Sequence, residues 1–274
     1  MSLIDRYTDM GVAKDGRCFL TGDELLDYAT EKYNRGERRV VLAFSASKDS
    51  LVCFLRLRDL GYEVHPYFMY LVPGLEYDEI KLRYYENYFG TKIMRLPHPH
   101  FYINLTRFNY QPPERVSVIR SIMPMSYSVP DIDTYLCQRH GAGFTVYGTR
   151  WSDNSVVRQS IQKHGAIFDS QRAQRVMVYA VWNYTNDQVA DAIIKDGVKI
   201  SDEYRLFLSP IRGFQYNFLK GIQRHYPGDY EKIKFWFPLI DLELYRFEEI
   251  ADYANSKKRE AQRPGQGKIS ITGG

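Results

Sequence analysis

The segment from Arg39 to Leu60 constrains this chain more than any other. Val40, Val41, Leu42, Ala43 and Phe44 form an apolar run of strand length, followed by a polar loop of Ser45, Ala46, Ser47, Lys48, Asp49 and Ser50. Leu51, Phe54, Leu55 and Leu57 then recur at helical spacing, with Arg56, Arg58 and Asp59 on the other face. A strand that feeds a helix through hydroxyls and backbone amides suits phosphate. The first amides of a helix lack partners inside it, and its dipole makes that end positive. Three serines add hydroxyl donors, Lys48 adds a cation, and Asp49 offers a carboxylate for Mg2+ held against the phosphate. The segment therefore reads as a nucleotide site, with an ordinary capped turn as the alternative.

The rest of the chain supplies the alternation that such a unit needs. Thr21-Gly22-Asp23-Glu24 fits a capping box and predicts a helix that carries Leu25, Leu26, Tyr28 and Ala29 on its apolar face. Glu63 to Leu71 reads as a second strand whose Pro66 favours an edge or a bulge. The loop Val72 to Glu76 precedes a helix over Asp78 to Phe89, and Lys92 to Leu96 is a third strand. Pro97 to Pro130 reads as a long, proline-punctuated loop, the kind that is usually functional. Asp131 to His140 is helical, Gly143 to Tyr147 is a buried strand, Arg175 to Val181 is the next strand, and Thr185 to Gln188 caps a helix to Lys195.

This order predicts an α/β fold, a doubly wound parallel sheet with right-handed crossovers and ligands at the carboxyl ends of its strands. The segments expected are 1–36, a leading segment and helix; 37–200, the nucleotide-binding α/β domain; 201–256, a small helical subdomain; and 257–274, a mobile tail. Tyr204, Phe207, Phe214, Tyr216, Phe218, Tyr226, Tyr230, Phe235, Trp236 and Phe237 make the third of these aromatic-rich, and core is the ordinary role for such rings.

Composition narrows the function classes. A net charge of +4 suits anionic ligands without requiring nucleic acid, which calls for a localised basic stripe. Cys18, Cys53 and Cys137 lie far apart, which argues against a zinc ribbon, an iron–sulfur cluster and a disulfide scaffold. No apolar run spans a bilayer and the first residues lack a signal-peptide core, so the expectation is a cytoplasmic protein with no membrane partner. His98-Pro99-His100 suggests a metal pair but has no third ligand at clear spacing, and loop residues are the simpler reading. Lys163, His164, Arg172 and Arg175 offer a basic face, with solvated charge as the default.

In its strand–helix setting the loop resembles the PP-loop, the S-G-G-x-D-S pyrophosphate loop of the adenine nucleotide α-hydrolase superfamily. Ser45, Asp49 and Ser50 match it, and Lys48-Asp49-Ser50 resembles the phosphoadenosine-phosphosulfate (PAPS) reductase branch. Pro73-Gly74-Leu75-Glu76-Tyr77 looks like that branch's loop after the second strand. Gly148-Thr149-Arg150 with Ser155 and Arg158 looks like its G-x-R-x-x-x-S-x-x-R element, and Trp182 to Val189 resembles its later helix start. The matches keep the family's order from Val40 to Ile194.

Two departures accompany the likeness. Ala46 and Ser47 stand where the family has two glycines, and the second glycine normally lets backbone lie close against pyrophosphate. No cysteine follows Cys137, which removes the thiol nucleophile of true PAPS reductases and argues against that reduction.

The resemblance implies ATP or a PAPS-type adenine nucleotide as ligand, with Mg2+ on Asp49 and no iron–sulfur cluster. It places Ser45, Ala46, Ser47, Lys48, Asp49, Ser50, Gly74, Glu76, Gly148 and Ser155 at the nucleotide, and Lys48, Asp49, Arg150 and Arg158 in catalysis. The implied reaction is adenylation of an acceptor (sulfate, a carboxylate, or a base in DNA or RNA) with release of pyrophosphate. A non-catalytic nucleotide-binding module and a sulfonucleotide enzyme that uses an external thiol are the alternatives. Nucleic acid, a partner protein and a second copy of the chain stay open as partners.

Overall fold

The computed structural model describes residues 6–7, 10–123, 126–170, 173–202, 205–206 and 213–261, with side chains through residue 250. Tyr204, Phe207, Arg172 and the 262–274 part of the tail lie outside the described residues. A six-stranded sheet forms the centre, in the order β3-β2-β1-β4-β6-β5. Its strands are β1 (Arg39–Ala43), β2 (Glu63–Tyr70), β3 (Met94–Pro97), β4 (Thr145–Tyr147), β5 (Ile167–Ser170) and β6 (Arg175–Val178). Every pairing is parallel except that of the edge strand β5, which runs antiparallel to β6.

The continuous apolar run of β1 follows from cover on both faces. Val40 and Leu42 point into the main core, with α1 (Gly22–Tyr33), α2 (Lys48–Asp59), α3 (Glu76–Phe89) and α8 (Asn186–Asp196). Val41, with Tyr67 of β2, packs on the opposite face against Ile132 and Leu136 of α6 (Val129–His140). Helix α2 alone buries Leu51, Val52, Cys53, Phe54, Leu55 and Leu57. Each large side chain of that stripe contributes about 1.5–3 kcal/mol of burial, so the helix that follows the polar loop is firmly seated.

Several local expectations are revised. Pro66 lies in a strand flanked on both sides, but β3 begins to pair only at Tyr67. One side of β2 is therefore open at Pro66, where a missing N–H is tolerated. Thr21 occupies the N-cap position of α1 without a side-chain cap bond, and Asp23 pairs instead with Arg56 of α2. The supposed loop from Pro97 to Pro130 contains α4 (Pro99–Leu105) and α5 (Pro113–Ile122). Strand β5 had no counterpart in the sequence reading.

After α7 (Ser155–His164) and α8, the chain ends its described course in α9 (Tyr216–His225), α10 (Pro227–Trp236) and α11 (Ile240–Ala261). Phe214, Phe218, Tyr230 and Phe237 are buried there together with Leu75, Phe101 and Ile119, so these helices share one apolar cluster with α3, α4 and α5. Phe235, at 68% exposure, departs from the expected core role.

Candidate functional site

Strands β1 and β4 are neighbours, yet the chain leaves β1 for β2 and leaves β4 for β5 and then β6, on the other side. The loops at their carboxyl ends therefore diverge and open a crevice, the switch point at which such sheets bind ligands. Phe44 fixes the start of the first loop. Its ring is buried edge-on against Phe54, Tyr85 and Phe89.

The turn that follows carries its unusual backbone at Ala46 and not at Ser47. Ser47 has ordinary extended backbone (φ −78°) and is the N-cap of α2, its hydroxyl accepting from the Ser50 amide. Ala46 takes the left-handed conformation instead (φ +59°), and its methyl group is fully buried. The residue that most needs glycine's freedom is thus the first of the pair, and core burial of the methyl offsets part of the backbone cost. The Ser45 hydroxyl lies 2.9 Å from Ser47 Oγ and 3.2 Å from Ser50 Oγ, its one proton shared between them, while Ser50 Oγ donates to the Ser47 carbonyl at 3.0 Å. Lys48, Asp49 and Ser50 belong to the first turn of the helix rather than to a loop. The amides of Lys48 and Asp49 have no acceptor within α2.

Arg150, expected at the phosphate, is turned inward. Its Nε lies 2.8 Å from Oδ1 of Asp49, its backbone N–H donates to Asp153 at 2.8 Å, and its Nη1 donates to Asn186 Oδ1 at 3.1 Å. Burial pushes the Asp49 carboxyl up, the Arg150 charge pulls it down, and Asp153 adds a further upward push. The upward direction prevails. Lys48 Nζ also donates to Asn186 Oδ1, at 3.3 Å. Asn186 therefore ties the first turns of α2 and α8 to Arg150.

Gly148 is required by packing. A Cβ there would lie 2.6 Å from the Ser50 nitrogen and 2.7 Å from the Asp49 carbonyl carbon, so the end of β4 lies directly against the first turn of α2. Gly74 takes a left-handed turn (φ +71°), and its carbonyl accepts from Lys232 Nζ at 2.7 Å. The backbone amides of Glu76 and Tyr77, at the start of α3, are both taken by the buried Asp229 carboxylate at 2.8 Å. Ser155 and Arg158 lie exposed in the opening turns of α7, with the Arg158 guanidinium 5.9 Å from the Trp151 ring centroid.

A cavity of about 360 Å³ opens at the switch point. Ser45, Ser50, Gly148 and Thr149 line one end, and Phe68, Met69, Tyr70, Leu71 and Val72 continue it along the end of β2. Asp78 and Lys81 of α3, His98, Leu75 and the rings of Phe214 and Phe218 close it. Of the residues expected at a ligand, Ser45, Ser50 and Gly148 meet in this cavity; Ala46, Ser47, Lys48, Asp49, Arg150, Gly74, Glu76, Ser155 and Arg158 are not among its lining residues.

Sequence reasoning missed the polar group on the cavity wall. Tyr67 and Tyr147 flank Ala43 in register, and that small side chain lets their hydroxyls meet at 3.2 Å. Tyr67 donates to Asp133 Oδ1 at 2.7 Å and Tyr147 to Asp133 Oδ2 at 2.6 Å. Arg175 Nε approaches Asp133 Oδ2 at 2.5 Å, and its Nη2 donates to the Tyr147 hydroxyl at 2.6 Å. Burial, with the carboxylate beside them, holds both phenols well above their ordinary range, so they stay protonated donors. Arg175 is thereby removed from the expected basic face. The signal in the sequence was a tyrosine at the same level of both strands beside β1, visible only once the register is known.

The thiols lie apart from this chemistry. Burial raises Cys18 and Cys137 to about 11 and Cys53 further, so all three are protonated at neutral pH. Among the described residues, no three His, Cys, Asp or Glu side chains converge as metal ligands, and no helix is long and apolar enough to cross a membrane.

No family model matches this chain, and no curated protein matches it in sequence. One solved structure similar to it is a phosphoadenylyl-sulfate (PAPS) reductase. That enzyme, from Candida auris and crystallised as a phosphate complex, is 12% identical, with a TM-score of 0.44 over 76% of this chain and 96% of the other. No residue's role follows from a likeness at that level.

Proposed function

We propose that this chain binds an adenine nucleotide at the switch point, with the phosphates on the Ser45–Ser50 turn and the base in the apolar slot along the end of β2. One observation carries the reading: a single cavity joins the serine hydroxyls at the start of α2 to a slot lined by Phe68, Met69 and Leu71. Free helix amides and hydroxyls suit phosphate, and an apolar slot with few polar groups suits a planar base.

Adenylyl transfer is the reaction this placement serves. An acceptor oxygen attacks the α-phosphorus, and a new P–O bond forms as the bond to the leaving pyrophosphate breaks. The Ser45 and Ser50 hydroxyls and the α2 amides stabilise the charge on the departing group. Asp49, turned to Arg150, does not form a Mg2+ site as arranged, and no step is assigned to a metal.

The same ion pair favours a second reading, a non-catalytic nucleotide-binding module. Two groups expected to act on phosphate neutralise each other instead. Pyrophosphate release, measured with ATP and sulfate, carboxylate or nucleic-acid acceptors beside calorimetric binding of ATP and PAPS, separates the two. Release that disappears in Ser50→Ala supports transfer, and binding without release supports the module. Failure to bind either nucleotide overturns both.

A further inference from the structure

The His98-Pro99-His100 motif opens α4. His98 directly follows β3, and its backbone N–H donates to the Tyr70 carbonyl at 2.8 Å. Its Nδ1 accepts the His100 backbone N–H at 3.0 Å and so caps α4. A ring nitrogen that accepts carries no proton, so the neutral imidazole holds its proton on Nε2. Burial, aided by His100, holds the ring's pKa below its ordinary value and keeps that neutral form. His98 lines the cavity while His100 is exposed, and Nε2 has no acceptor among the described residues.

The position along the cavity matters as much as the tautomer. The lining follows the strand order, from Gly148 after β4 and Ser45 after β1 to Tyr70 at the end of β2 and His98 after β3. His98 therefore stands at the end remote from Gly148 and the serine turn. We infer that His98 is a specificity-determining residue whose Nε2–H donates to an acceptor atom of the ligand at that remote end, which for an adenine base is a ring nitrogen. This rests on the nucleotide reading above. Adenine presents lone pairs at its ring nitrogens and N–H donors only on its amino group, so a fixed donor selects which edge of the base faces β3.

Calorimetric titration of the full chain with ATP and its 1-deaza, 3-deaza and 7-deaza analogues tests this, since each analogue replaces one ring nitrogen by C–H. The variant is His98→Asn, whose amide oxygen still caps the His100 N–H but offers no donor at the Nε2 position; a thermal melt checks its fold. The expected result is an affinity for ATP about tenfold weaker in His98→Asn. One deaza analogue should bind the wild-type chain about tenfold more weakly than ATP and lose nothing further in the variant. Equal affinity of both proteins for ATP, or the same loss for all four ligands, overturns the role of His98 while leaving nucleotide binding intact. No binding of any of them to the wild-type chain removes the nucleotide reading itself, and this inference with it.

Discussion

The Nε of Arg150 lies 2.8 Å from Oδ1 of Asp49, and the two side chains are only 5% and 13% exposed. Each was expected to face a ligand, and each is instead the other's counter-charge. A buried pair of this kind is costly to break by halves, because the partner left behind has no compensation. Asp49→Ala and Arg150→Ala should each lower stability by about 3–5 kcal/mol. The double replacement Asp49→Leu with Arg150→Met should lose much less than the sum, as read from urea unfolding midpoints.

Gly148 gives a sharper packing test. Its missing Cβ leaves room for the Ser50 nitrogen and the Asp49 carbonyl carbon, both backbone atoms with little freedom to shift. Gly148→Ala should cost about 1–3 kcal/mol by overpacking. It should also weaken nucleotide affinity, because the first turn of α2 is what must move. Thermal melts with and without ATP measure the two effects.

Asp229 accepts both opening amides of α3, and Lys232 bridges it to the Gly74 carbonyl. Asp229→Ala should remove about 1.5–3 kcal/mol for each charged hydrogen bond lost, offset partly by water reaching the freed amides. Hydrogen exchange should accelerate first at the Glu76 and Tyr77 amides. Uniform acceleration across the sheet would contradict a local clamp.

Acid should weaken the fold through three of its histidines. Burial, above all other causes, lowers the pKa of His98, His140 and His164 from the ordinary histidine value. The unfolded chain therefore takes up protons at a pH where the folded chain does not. The stability these rings contribute is fully present above their unfolded value and is lost as pH falls through it toward the folded values. Urea midpoints should drop between about pH 7.5 and pH 5.5. His98→Asn should reduce that drop.

What the sequence revealed and what it hid divide along the range of the interactions. The β1–α2 unit and the capping box of α8 are written in adjacent residues, and Thr185 and Gln188 make both of the expected bonds. Pro99 and Pro113 looked like loop punctuation because their sequence effect is to break structure. Both open helices, where proline's fixed φ fits and its absent N–H costs nothing. The site was legible only in its local part. Ser45 and Ser50 meet the cavity, whereas the partners of Asp49 and of the Glu76 amide come from Arg150 and Asp229, far along the chain. Strand β5 escaped because four residues, Ile167–Ser170, at an edge carry too little periodicity to register.

The reach of Asp229 back to the start of α3 has a bearing on biosynthesis. A ribosome would have released both flanking strands and α3 long before it delivers the carboxylate that completes them, 153 residues after Glu76. Until then the growing chain carries an unfinished wall beside Leu75, and the rings of Phe214 and Phe218 that close the cavity are also still to come. A nascent chain should therefore gain ligand-dependent protease resistance only once its final helices have emerged.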